Sequence, residues 1–95
     1  MYLVTVTFTI APDHAAAFLR RVQEQAADSL TEPGCRQFDV WQEPGNPAKV
    51  FLYEIYDDRA AFDAHLDSPH FKAFDAEVAP WITDKQVGTA ILNEG

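Results

Sequence analysis

The chain has 95 residues, 47% hydrophobic and 13% aromatic, and a formal net charge of −8. That length and composition imply one domain spanning 1–95 with a thin core and exclude a disordered polymer. The negative charge excludes nucleic acid and anionic membrane as partners, since both select a basic face and the cations here stand singly apart from Arg20-Arg21. No apolar run approaches a membrane span, and the N-terminus enters an alternating pattern without a charged leader. Cys35 is the single cysteine, which excludes an internal disulfide and a cysteine metal cluster. A cytoplasmic location is expected.

Tyr2, Val4, Val6, Phe8 and Ile10 alternate with Thr5, Thr7 and Thr9, the period of a half-buried strand. Pro12 and Asp13 open a helix expected to run to about Leu30, with Phe18, Val22 and Ala26 on its apolar stripe. Gln25 and Ser29 lie close to that stripe, seven and eleven positions after Phe18. Glu32-Pro33-Gly34 ends the helix and turns the chain. Cys35 to Gln42 and Lys49 to Tyr56 read as two strands around the turn-rich linker Pro44-Gly45-Asn46-Pro47. In the second strand Phe51, Tyr53 and Ile55 alternate with Val50, Leu52, Glu54 and Tyr56, so both faces are largely apolar. Helices can cover only one face; a partner sheet is the simplest cover for the other.

Asp57-Asp58 can cap a helix from Arg59 to Leu66, and Ser68-Pro69 starts another that runs to about Ala79. Pro80 interrupts it near Trp81, and Gln86 to Leu92 reads as the final strand. The order β-α-β-β-α-β with a broken second helix predicts an α+β ferredoxin-like sandwich.

Two side chains are not explained by folding alone. His65 shares a helical face with Phe62 and Leu66, pointing under its helix toward the sheet. It is either a core histidine with both nitrogens bonded or a general acid/base, because imidazole titrates near neutral pH. Glu54 lies on the side of Leu52 and Tyr56 in the middle of an interior strand, where a carboxylate needs a partner. An inward imidazole is one such partner; an arginine across a subunit interface is the other. His70, beside Phe71, is a pocket-rim contact or a solvated helix-start residue. Gln25 and Ser29 could orient a carbonyl or only satisfy each other. Trp41 and Trp81 read as core or interface aromatics before pocket walls, and Asp39 has opposite parity to Phe38 and Val40. There is no phosphate loop, no G-x-S-x-G elbow and no helical H-x-x-x-H pair. His65 and His70 fall on different faces of a continuous helix, and only the Ser68-Pro69 break could bring them together, so no metal is expected.

Three runs carry a family resemblance: Glu32-Pro33-Gly34-Cys35 followed by Phe38-Asp39-Val40; Leu52-Tyr53-Glu54 with Tyr56; and Ala60-Ala61-Phe62 with Ala64-His65 and Ser68-Pro69-His70-Phe71. Together they resemble the antibiotic biosynthesis monooxygenase domain, in particular its small stand-alone bacterial members. The resemblance is dense from Glu32 to Phe74. It implies a ferredoxin-like homodimer, the two sheets packed face to face into a dimeric α/β barrel, with a pocket in each subunit between helices and sheet. Family members include cofactor-independent monooxygenases of quinols and anthrones, heme-degrading enzymes, and an isomerase of the phosphorylated autoinducer-2 signal. The heme-degrading pattern is not matched, because its helix tryptophan falls on His65 and its iron-ligating histidine on Asp75. The isomerase shares Phe38-Asp39-Val40, the Glu54 and Tyr56 motif, His65 and Pro69-His70, while its helix asparagine and following histidine correspond to Gln25 and Ala26.

The resemblance implies an oxygenase needing neither metal nor flavin. His65, paired with Glu54, would deprotonate an electron-rich phenol or quinol that then reacts directly with O2. Gln25 or Ser29 would stabilise the anion, and Phe38, Tyr56, Phe71 and Trp81 would form the wall, with His70 at its rim. The alternatives are an isomerase of a small hydroxyketone, using the same pair as a proton shuttle, and a non-catalytic ligand-binding dimer in which the pair is structural.

Overall fold

The computed structural model describes residues 1–93. Its elements are β1 (Tyr2–Ile10), a 3-10 turn (Pro12–His14), α1 (Ala15–Ser29), β2 (Cys35–Glu43), β3 (Asn46–Tyr56), α2 (Arg59–Asp67), α3 (Pro69–Val78), a second 3-10 turn (Ala79–Trp81) and β4 (Ile82–Ile91). The strands form one antiparallel sheet in the order β2-β3-β1-β4, the ferredoxin-like arrangement, with the helices on one face. No helix among the described residues is long and apolar enough to cross a membrane.

Alternation in β1 turns Val4, Val6, Phe8 and Ile10 toward the helices, where Val50, Leu52 and Tyr56 of β3 and Phe18, Val22, Phe74 and Val78 from above complete the core. The expected linker between β2 and β3 is tighter than four residues. Glu43 pairs with Asn46, leaving Pro44 and Gly45 at the corner, and Gly45 takes the left-handed φ of 76° that closes it. β4 begins at Ile82, earlier than the expected Gln86, because Ile10 already pairs with Ile82 across a bulge. After the half-buried Ile82, the residues from Thr83 to Gln86 are polar and exposed. An edge strand that no helix covers needs only backbone pairing, so periodicity gives no signal there.

The break between α2 and α3 lies at one residue. Pro69 drives Ser68 into extended backbone (φ −68°, ψ 144°), which ends α2. The Ser68 hydroxyl donates to the His65 carbonyl at 2.6 Å and accepts from the Phe71 N–H at 3.2 Å, so it joins the last turn of one helix to the first turn of the next. Asp58 caps α2 by accepting from the Ala61 N–H at 2.8 Å. The same first turn of α2 rides on the turn after α1: a Cβ on Gly34 would stand 2.5 Å from the Ala61 Cβ, too close for any side chain there. This close approach brings Glu32 beneath α2.

Candidate active site

Between sheet and helices lies a hollow of about 60 Å³, room for several water-sized groups where one needs roughly 10–15 Å³. Its floor is the inner face of the sheet, where Glu54 stands between Val4 and Phe38 in the strand pairing and Lys85 and Val87 of β4 lie opposite Phe8 and Val6. Its roof is Gln25 from α1, Phe62 and His65 from α2, and Phe71 and Phe74 from α3. An imidazole on the roof and a carboxyl on the floor therefore face one space.

The hydrogen bond expected between His65 and Glu54 is not formed; each has another partner. His65 Nδ1 lies 2.9 Å from Glu32 Oε2, and His70 Nε2 lies 2.7 Å from the same oxygen. His70 Nδ1 faces Gln25 Oε1 at 3.4 Å. Gln25 Nε2 donates to Ser29 Oγ at 3.4 Å, and that hydroxyl donates to the Gln25 carbonyl at 2.6 Å. Glu54 Oε1 instead accepts from the Tyr56 hydroxyl at 2.5 Å. The break at Ser68 is what allows two histidines five positions apart to converge on one carboxylate.

Electrostatics give each group a distinct state. Burial pushes His65 below its usual range, with Glu32 opposing the shift, so its neutral form is favoured. A carboxylate can only accept, so neutral His65 donates through Nδ1. This leaves Nε2 as the basic nitrogen of a ring that lines the hollow. Burial raises the Glu54 carboxyl to about 7, against the pull of the Tyr56 hydroxyl and Lys85. Tyr56 is pushed up by burial and by Glu54, so it stays a donor. Cys35 is buried and raised to about 11, chiefly by desolvation, which closes thiolate chemistry at neutral pH.

Of the residues singled out from sequence, Gln25, Phe38, Glu54, His65 and Phe71 line the hollow. His70 is behind His65, their ring centroids 5.8 Å apart. Ser29 is fully buried behind Gln25, and Tyr56 acts through Glu54 with its ring 5.4 Å from that of His65. Trp81 is not a wall of this hollow. It stacks on His14 at 5.5 Å, because the second 3-10 turn packs it against the start of α1. Glu32 and Lys85 were not anticipated. Glu32 opens the Glu-Pro-Gly-Cys run, and a carboxylate one turn before an inward strand residue was the available signal.

The chain matches the family model described as antibiotic biosynthesis monooxygenase over residues 1–77, and it belongs to that family. Among curated relatives, an isomerase of (4S)-4-hydroxy-5-phosphonooxypentane-2,3-dione from Salmonella paratyphi B is 30% identical over 83 residues, 87% of this chain and 86% of the relative. One of the same name from Klebsiella pneumoniae is 36% identical over 73 residues, 77% of this chain and 74% of the relative. Among solved structures, a Nitrosomonas europaea protein described as a candidate antibiotic biosynthesis monooxygenase superposes with a TM-score of 0.93 at 27% identity, covering 97% of this chain and 98% of its own. Rv0793 from Mycobacterium tuberculosis superposes with a TM-score of 0.88 at 28% identity, covering 98% and 96%.

Proposed function

We propose that this protein is a cofactor-independent proton-transfer enzyme that isomerises a small hydroxyketone, moving a hydrogen between neighbouring carbons. The observation that carries this reading is two proton-carrying groups on opposite walls of one small hollow: neutral His65, backed by Glu32, and Glu54 raised to about 7. His65 Nε2 takes the proton from the carbon beside the carbonyl, and Glu32 stabilises the imidazolium as it forms. Glu54, able to hold a proton near neutrality, returns one to the adjacent carbon or its oxygen. Gln25 supplies an amide at the roof. The names of the curated isomerases support the same reaction class, and Lys85 is the one cation among the residues lining the hollow, placed to meet a phosphorylated substrate.

A second reading keeps the first half of this chemistry. Five phenylalanines, Phe8, Phe38, Phe62, Phe71 and Phe74, line the hollow, and an aromatic phenol or quinol deprotonated by His65 could react directly with O2. Similarity to the Nitrosomonas protein favours it. The two readings separate in anaerobic buffer. With 4-hydroxy-5-phosphonooxypentane-2,3-dione as substrate, NMR is expected to show full turnover without oxygen and solvent deuterium entering the product. Turnover of a menadiol-type quinol with stoichiometric oxygen uptake, and none of the hydroxydione, would replace the isomerase by the oxygenase.

The working unit is a homodimer through the outer sheet face. On that side Met1, Tyr53, Ile91 and Leu92 are exposed around an apolar hollow of about 300 Å³, and Trp41 is 61% exposed. A sheet face left to water is normally polar. Light scattering on eluting protein is expected to give twice the 10.7 kDa chain mass; a monomer at micromolar concentration refutes the pairing.

A further inference from the structure

We propose that Glu32, His65 and His70 form a binding site for a divalent ion of the zinc class. One oxygen and two ring nitrogens, each from a different element, lie within 4.8 Å of one another. His65 Nδ1 and His70 Nε2 both point at Glu32 Oε2, from 2.9 and 2.7 Å. Ligands of a tetrahedral zinc stand about 3.3 Å apart for bonds of roughly 2.0–2.2 Å. The two nitrogen–oxygen distances therefore need to open by about half an ångström, and the two nitrogens, within 4.8 Å of each other, need to settle at the same spacing, for an ion to replace the shared hydrogens. Two imidazoles and one carboxylate suit zinc, cobalt or nickel and not magnesium or calcium, which prefer all-oxygen shells.

Two further observations point to ligation. A metal-bound histidine commonly donates its other N–H to a fixed acceptor, which sets the tautomer. His70 has that acceptor: Gln25 Oε1 lies 3.4 Å from Nδ1, on a glutamine that is 1% exposed and tied to Ser29. The cluster also has an entry path, because the His70 and Glu32 side chains keep 23% and 18% exposure while His65 has 3%. Three protein ligands leave a position for water. The hydrogen on His65 Nδ1 moves to Nε2, and that on His70 Nε2 moves to Nδ1, or leaves to solvent where Nδ1 already carries one, with no change in oxidation state.

A filled site and the reaction proposed above exclude one another, because an ion on His65 Nδ1 puts the remaining ring hydrogen on Nε2; the test of the site needs no substrate. Untagged, chelator-treated protein is titrated with Co2+ and followed by visible absorption and calorimetry. One equivalent is expected to bind, with the ligand-field bands of a low-coordinate nitrogen and oxygen site, and Zn2+ is expected to displace it. Gln25→Leu should weaken Co2+ binding by roughly 10- to 100-fold. His70→Ala and Glu32→Gln, checked for native circular dichroism, should weaken it at least as much. His14→Gln, whose ring stacks on Trp81 far from the cluster, should bind as the wild type does. No saturable one-to-one binding by the wild type, or unchanged affinity in His70→Ala, overturns the site.

Discussion

Replacing His65 with alanine is expected to lower turnover by roughly 10²- to 10⁴-fold, the usual worth of a positioned general base. The effect should fall on kcat more than on KM. His65 contributes one nitrogen to a wall otherwise built of Phe38, Phe62, Leu66, Phe71 and Phe74, and those apolar contacts to substrate survive the change. The imidazole is 2% exposed and held by Glu32 on one nitrogen, so no other side chain lining the roof can take over the proton. Steady-state kinetics on the substrate that passes the anaerobic test measure this directly. A rate within a few fold of wild type removes His65 from the reaction. His65→Gln, which keeps polarity and much of the volume, guards against a trivial loss through misfolding.

Replacing Glu54 with glutamine is expected to stabilise the fold above neutral pH, by up to about 3 kcal/mol. The folded carboxyl sits near 7 and the ordinary value is 4.5. Between those limits the unfolded chain ionises while the native chain still holds its proton, so native stability falls as pH rises and levels off above 7. The full offset is on the order of 3 kcal/mol, at about 1.4 per unit. Glutamine keeps an oxygen able to accept from the Tyr56 hydroxyl and has no charge to desolvate. His65 works in the opposite sense: its folded value is lowered, so it adds stability as pH rises toward 6.5. The diagnostic is therefore the difference between wild type and Glu54→Gln in urea unfolding at several pH values. A variant that is less stable at pH 8, or that keeps the wild-type slope between 4.5 and 7, contradicts the assignment. A carboxyl that weakens its own fold at neutral pH is a mark of a functional group.

The sheet and the helix break were legible because both rest on local chemistry. Strict alternation from Tyr2 to Ile10 and proline after serine at 68–69 act over a few residues, whatever the rest of the chain does. Parity placed Glu54 and His65 on inward faces, and both are buried. Their pairing was not legible, since it depends on how far along the sheet the helix lands, and Gly34 beneath Ala61 sets that. The same contact delivers Glu32, a turn residue without periodicity, to the position the sequence reading gave to Glu54. Trp81 packs against the core, as its first reading had it, and not on the pocket wall, because the second 3-10 turn carries it toward His14 after the helix pattern has ended.

The hollow draws its proton-handling groups from the densely packed half of the molecule and its remaining wall from β4. Val87 is 55% exposed, and Lys85 is also exposed. Changes at such weakly anchored positions cost little stability, whereas positions 54 and 65 are 3% and 2% exposed and any change there must fit a packed interior. Substrate choice can thus drift at the doorway while the acid/base hardware stays put, one physical route by which a single scaffold comes to serve several chemistries.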